Sequence, residues 1–173
     1  MKTIKNIGAL SFLFVLVLAA SCSGDDSEGV NNNTPDGEYV HGKADGVQFE
    51  TVNYQGLTSV FASKDGTGEE TQIIVVGNDL EGNAIGLTTH GIATTGTYEL
   101  NDLQAVMLYT DGATGTNYDT SDDCEGGDGT LTVTYLDDIK IEGTFEFVGK
   151  NDENCSQSKT VTEGSFRGVF ETE

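Results

Sequence analysis

Ile139-Lys140-Ile141-Glu142-Gly143-Thr144-Phe145-Glu146-Phe147-Val148 decides the fold. Apolar and polar residues alternate almost step by step, the period of two that sends successive side chains to opposite faces of a β-strand. Ile139, Ile141, Phe145 and Phe147 are expected to face inward, and Lys140, Glu142, Thr144 and Glu146 outward. Gly143 falls on the inward face, where a missing side chain marks a bulge or a bend. Just upstream, residues 130–136 repeat the pattern, with Leu131, Val133 and Tyr135 on one side and Thr130, Thr132 and Thr134 on the other. Asp137-Asp138 makes the turn between the two segments.

Working outward, the same rhythm covers most of the chain. Residues 39–44 and 47–54 flank Asp45-Gly46, a pair favoured in two-residue hairpins because both central positions need positive φ. Residues 57–63 run into the turn signal Lys64-Asp65-Gly66. Residues 71–78 hold Ile73-Ile74-Val75-Val76, apolar on both faces, and read as a central strand. Further strands are expected at 84–89, 97–100 and 105–111. An acidic loop at 112–128 and a second loop at 150–158 bracket the alternating pair, and residues 159–171 close the chain with Val161, Phe166, Val169 and Phe170. No stretch has a helical period. The expected fold class is all-β: a single antiparallel β-sandwich or β-barrel-like domain of about nine or ten short strands. The chain contains no Trp, so neither the Gly-x-Trp signature of lipocalins nor the Cys…Trp…Cys pattern of immunoglobulin domains is present.

Composition narrows the partners. Asp and Glu number 29 against 8 Lys and Arg, for a net charge of −21. Such a field repels nucleic acid and anionic membrane surfaces, so no nucleic-acid partner is expected. Residues 37–173 are long enough for one domain with one core, and no fixed-period repeat appears. Residues 22–36, acidic at first and then carrying Asn31-Asn32-Asn33 and the sole proline, Pro35, read as a flexible tether.

The N-terminus supplies an address. Lys2 and Lys5 precede an apolar run over residues 7–20 and the small residues Ala19-Ala20-Ser21, which makes residues 1–21 a secretory signal peptide. At about 14 residues the run is shorter than the roughly 18–20 that a membrane-spanning helix needs. Leu18-Ala19-Ala20-Ser21-Cys22 resembles the lipobox of bacterial lipoproteins, with Ala19 where Leu is usual. The resemblance implies a diacylglycerol on the Cys22 thiol, cleavage after Ser21, and palmitate-like chains on the new first residue. Each buried methylene contributes about 0.8 kcal/mol, so two or three chains hold a protein almost permanently. The segment Ser23-Gly24-Asp25-Asp26-Ser27-Glu28 resembles the acidic signal that places Bacteroidetes lipoproteins on the outer face of the outer membrane. Its alternative is a solvated linker on a periplasm-facing anchor. With Cys22 acylated, Cys124 and Cys155 remain as an even pair in an oxidising compartment, where a disulfide is expected. Free thiols or a metal site are the alternatives; no Cys-x-x-Cys spacing supports a metal.

Candidate chemistry is thin. Asn117, Asp119, Ser121, Asp123 and Glu125 place oxygens at alternate positions, as a calcium loop does. Asp119, Asp123 and Glu125 are therefore a calcium candidate, although Cys124 stands where that loop wants glycine and no Glu closes it. His41 and His90 are the two histidines; neither lies in a His-x-x-x-His pair, and no Gly-x-Ser-x-Gly elbow offers a nucleophile. Gly126-Gly127-Asp128-Gly129 lacks the Lys and helix of a phosphate cradle. Tyr39, Tyr54, Tyr98, Tyr109, Tyr118 and Tyr135 could form a sugar-stacking face, but Tyr is also favoured in strands generally. No catalytic residue and no cofactor is expected.

The opening Asp45-Gly46-Val47-Gln48-Phe49, the strand Ile141-Glu142-Gly143-Thr144-Phe145-Glu146-Phe147 and the terminal Val161-Thr162-Glu163-Gly164-Ser165-Phe166 together resemble uncharacterised Bacteroidetes outer-membrane lipoproteins. The shared motifs consist of turn glycines and inward phenylalanines, and they imply fold and location. The expected function is a non-catalytic β-domain, anchored by lipid in the outer membrane and exposed at the surface, which binds a protein or small molecule or serves in structural association. The alternatives are a small β-barrel carrying an apolar ligand and a hydrolase with an unrecognised site.

Overall fold

The computed structural model describes residues 37–54, 57–100, 104–121 and 124–170. The chain divides into two units, Met1–Thr34 and Pro35–Glu173, and every described residue lies in the second. Thirteen strands follow one another: β1 Tyr39–Ala44, β2 Val47–Glu50, β3 Asn53–Tyr54, β4 Leu57–Thr58, β5 Val60–Asp65, β6 Gln72–Asn78, β7 Ala84–His90, β8 Gly96–Glu99, β9 Ala105–Asp111, β10 Thr116–Asp119, β11 Asp128–Leu136, β12 Lys140–Asn151 and β13 Asn154–Val169. A 3-10 turn at Gly68–Glu70 is the one helical element among the described residues. β3 and β4 form a separate hairpin.

The other strands make one 11-stranded antiparallel sheet in the order β2-β1-β13-β12-β10-β9-β7-β6-β5. β12 is long enough to take two neighbours along one edge. Ile141–Val148 pair with β11, which in turn pairs with β8, and Lys150 pairs with Asp119 of β10. The sheet does not close into a barrel. Instead it folds over, and the two halves face each other across a shared core. Val40, Phe145, Val161 and Phe166 from one half meet Ile73, Val75, Ile85, Leu87 and Met107 from the other, all nearly excluded from solvent. The halves approach so closely that a Cβ on Gly168 would stand 2.6 Å from that of Ala62, and one on Gly77 would stand 2.7 Å from that of Val40. The void left between Val40, Val75, Ile85, Leu87, Met107, Phe145 and Phe166 is about 10 Å³, at most the space of one water.

Asp45 and Gly46 take φ of 48° and 80°, the paired positive values that let a two-residue turn follow the strand twist. Several expectations need correction. Thirteen strands lie among the described residues, and β12 and β13 are long, with 12 and 16 residues. The loop expected at 150–158 is mostly strand: Asn151 pairs with Asn154 across a two-residue turn, and the three-residue excess on β13 is absorbed in its first residues. β10 lies inside the acidic segment expected to be loop. β6 is penultimate in the sheet and buries one face only, with Ile74 and Val76 half-buried on the other. Tyr135 is 41% exposed because the β11–β12 register slips one residue between Val133 and Tyr135, which turns it to the other face. Ile139 is 63% exposed; it precedes β12, in the turn where Asp137 Oδ1 accepts from the N–H groups of Ile139 and Lys140.

Candidate functional site

The pairing register brings polar side chains into rows on the outer face of β2-β1-β13-β12-β11-β8. Thr97, Thr132, Thr144, Ser165, His41 and Glu50 are successive cross-strand partners over these six strands. Thr97 and Thr132 share a hydrogen bond of 3.1 Å between their hydroxyls. A second row runs Tyr135, Glu142, Arg167, Tyr39, with Lys140 Nζ 2.6 Å from Glu142 Oε1 and 4.4 Å from the centre of the Tyr135 ring.

Beside the first row, on the side away from the second, lies an open groove of about 440 Å³, lined by Thr130, Thr132, Thr144 and Ser165 with the carboxylates of Glu146 and Glu163. A smaller continuation of about 250 Å³ shares Thr130 and Glu146 and extends over β12 and β13 to Val148 and Thr160. The groove exists because β13 carries one extra residue against both neighbours, between the pairs Ser165–His41 and Thr162–Lys43 on one side and Gly164–Phe145 and Val161–Phe147 on the other. Glu163 takes the strain of this bulge with φ of 54° and meets Lys43 Nζ at 2.8 Å.

The row sets Ser165, His41 and Glu50 side by side, the side-chain types of a hydrolytic relay, without aligning them as one. His41 Nε2 stands 3.7 Å from Glu50 Oε1, beyond hydrogen-bond reach, and its ring lies 4.7 Å from that of Tyr39. Burial lowers the His41 pKa, and the nearby Glu50 carboxylate offsets this only in part. His90 lies exposed at the end of β7, on the other half of the sheet. The strand register brings Ser165 to His41, whereas sequence alone left the two more than a hundred residues apart.

Cys124 and Cys155 are joined by a disulfide. The bond ties the segment between β10 and β11 to the tip of the β12–β13 hairpin, so it clamps one hairpin end and does not bridge two loops. Of the calcium candidates, Asp119 faces out of β10 and accepts from the N–H and hydroxyl of Ser121. Glu125 is exposed in the following segment, and Asp123 lies outside the described residues. Among the described residues no group of three or more His, Cys, Asp or Glu side chains is placed to hold a metal. Cys22, the signal peptide and the tether also lie outside the described residues.

Sequence reading missed a polar cluster at one mouth of the core. Lys159 Nζ sits 5.4 Å from the Tyr109 ring centre, 5.7 Å from that of Tyr118, and 3.0 Å from Asp45 Oδ2. Asp45 Oδ1 also accepts from the Thr160 N–H, and Asp45 N–H donates to the Thr160 carbonyl. Burial alone would raise the Asp45 pKa, yet the Thr160 N–H and the Lys159 ammonium together hold it below the usual carboxylate value. The hydrogen bond to Asp45 raises that of Lys159, and burial pushes the Tyr109 hydroxyl up. The Asp-Gly pair announced a hairpin, but nothing in its spacing announced that the hairpin tip would dock on β13.

These elements all fall within residues 36–170, which match the family model DUF6252, a domain of unknown function. The chain belongs to the DUF6252 family. No curated protein and no solved structure matches it. In this DUF6252 domain polar side chains converge at the groove on the outer face and at the Lys159 cluster.

Proposed function

We propose that this DUF6252 protein is an envelope lipoprotein, acylated at Cys22 and displayed on the outer membrane, whose β-domain works by binding or structural association and not by catalysis. The observation that carries the binding half is the open groove beside β12: hydroxyls from three strands and two carboxylates offer hydrogen bonds to a polar ligand. The interior argues in the same direction. Among the described residues, the void of about 10 Å³ between Val40, Met107 and Phe166 is too small for an apolar guest, which weighs against the carrier alternative. The anchoring half rests on Leu18-Ala19-Ala20-Ser21-Cys22 and the acidic residues that follow.

The test grows cells with an alkyne analogue of palmitate and follows the label. Wild-type protein is expected to take up label and fractionate with the envelope, to lose both on Cys22→Ser, and to be cleaved when intact cells are treated with protease. Unlabelled protein, or a Cys22→Ser variant that still sediments with lipid, overturns the anchoring. A fluorescent fatty acid is expected to gain no emission with the protein; saturable uptake would restore the carrier reading.

A further inference from the structure

The two outer faces of the folded sheet differ in kind. The face that holds the groove carries Glu50, Lys43, Glu142, Arg167 and Glu146. The opposite face, on β5, β6, β7 and β9, has rows Phe61-Val76-Gly86-Leu108 and Ser63-Ile74-Thr88-Val106, with Ala84 and Thr110 beyond them. None of these ten positions is charged, in a chain with 29 acidic residues. Phe61 is 46% exposed, and Leu80, in the turn after β6, is 83% exposed. Charge returns at the rim, with Asp65 on β5 and with Asp119, which pairs with Leu108.

We infer that this uncharged apolar face lies against the zwitterionic lipid of the bilayer, which the chain's negative field does not repel. The inference rests on the anchoring proposed above. Area decides between occupants. Four strands about 4.8 Å apart, each about five residues long, cover roughly 300 Å², well short of the roughly 800 Å² per partner that a stable protein pair buries. A second copy of so acidic a chain would also bring its own net charge of −21 into close approach. A small patch is enough, however, for a partner already held nearby. Fourteen residues, 23–36, separate Cys22 from Gly37, a length that reaches at most about 50 Å even fully extended. The acyl chains thus keep the domain near the membrane surface, and the acid-free face is the one that can approach lipid without desolvating carboxylates.

The chain contains no Trp, so a single introduced Trp reports its own surroundings. The full acylated protein, as Phe61→Trp or Leu108→Trp, is reconstituted in phosphatidylcholine vesicles with or without brominated acyl chains; Tyr135→Trp marks the opposite face. Emission from the Phe61 and Leu108 variants is expected to fall at least about twofold with brominated lipid, and that of the Tyr135 variant to stay unchanged. Vesicle flotation is measured on the same samples. Protein that floats without quenching at either apolar position overturns the inference and leaves the anchoring intact. Protein that does not float overturns the anchoring, and the inference with it. A blue shift that rises with protein concentration and is insensitive to bromine assigns the face to a second copy instead.

Discussion

Gly143 and Gly164 sit in mid-strand, and what each lacks is filled by a ring from across the ladder. Gly143 pairs with Phe166 and Gly164 with Phe145; a Cβ on Gly143 would stand 2.7 Å from Phe166 Cε1, and one on Gly164 would run into the Phe145 ring. The two phenylalanines pack with ring centres 6.2 Å apart. Gly143 marks a bulge, as its place on the inward face implies: β11 carries an extra residue opposite it, between Val133 and Tyr135. Gly164→Ala is expected to destabilise by about 1–3 kcal/mol through overpacking, read from the denaturant midpoint. Combining it with Phe145→Leu should recover part of that loss, and strictly additive effects would show that the ring is not the obstacle. Glu163 holds a left-handed φ that β-branched residues tolerate poorly. Glu163→Val should lower the midpoint more than Glu163→Gly, and the reverse order would remove the bulge from the account.

At the level of elements, legibility followed pattern strength. β12 and β11 were plain because alternation ran unbroken there, and β9 was found to the residue. β10 escaped because Thr116-Asn117-Tyr118-Asp119 offers one apolar side chain in four residues, within a run of acids. The hairpin tip at Asp152-Glu153 escaped because the disulfide and the Asn151 side chain hold a polar segment in strand geometry; Asn151 Oδ1 accepts from the Glu153 N–H, and Asn151 Nδ2 donates to Gln157. The disulfide spans a separation of 31 residues, for which chain entropy assigns about 3–4 kcal/mol. Reduction, or Cys124→Ala with Cys155→Ala, is expected to lower the unfolding free energy by a similar amount. No shift under reductant would mean that the hairpin end is held by its hydrogen bonds alone.

For the molecule as a whole, acid sensitivity follows from groups whose folded pKa values are depressed, His41 and Asp45 among them with the more exposed Asp111 and Asp137. His41 falls below the ordinary histidine value because burial outweighs Glu50. Asp45 falls below 3.8, the Thr160 N–H and Lys159 outweighing the opposing effect of burial. In both cases the unfolded chain binds the proton first as pH falls, so the stabilisation is complete above the unfolded value and is lost on descending through the folded one. Stability should decline in two steps, one below about pH 6.5 and one below about pH 4. His41→Gln is expected to remove the upper step and keep the lower, and coincident profiles for variant and parent between pH 8 and 5 would refute the assignment. Fold class and the inward phenylalanines could be read from the sequence because they are local. Strand order could not, because the partnership of β1 with β13 joins residues at opposite ends of the domain, and the groove and the acid-free face exist only once that order is set. The same pairing governs how the chain matures. Of the thirteen strands β13 is made last, and until it arrives one edge of β1 and one edge of β12 wait without a partner. No nascent fragment can reach the native state early, and pairing of such high sequence separation makes for slow folding. The native sheet therefore cannot be completed before β13 has been made.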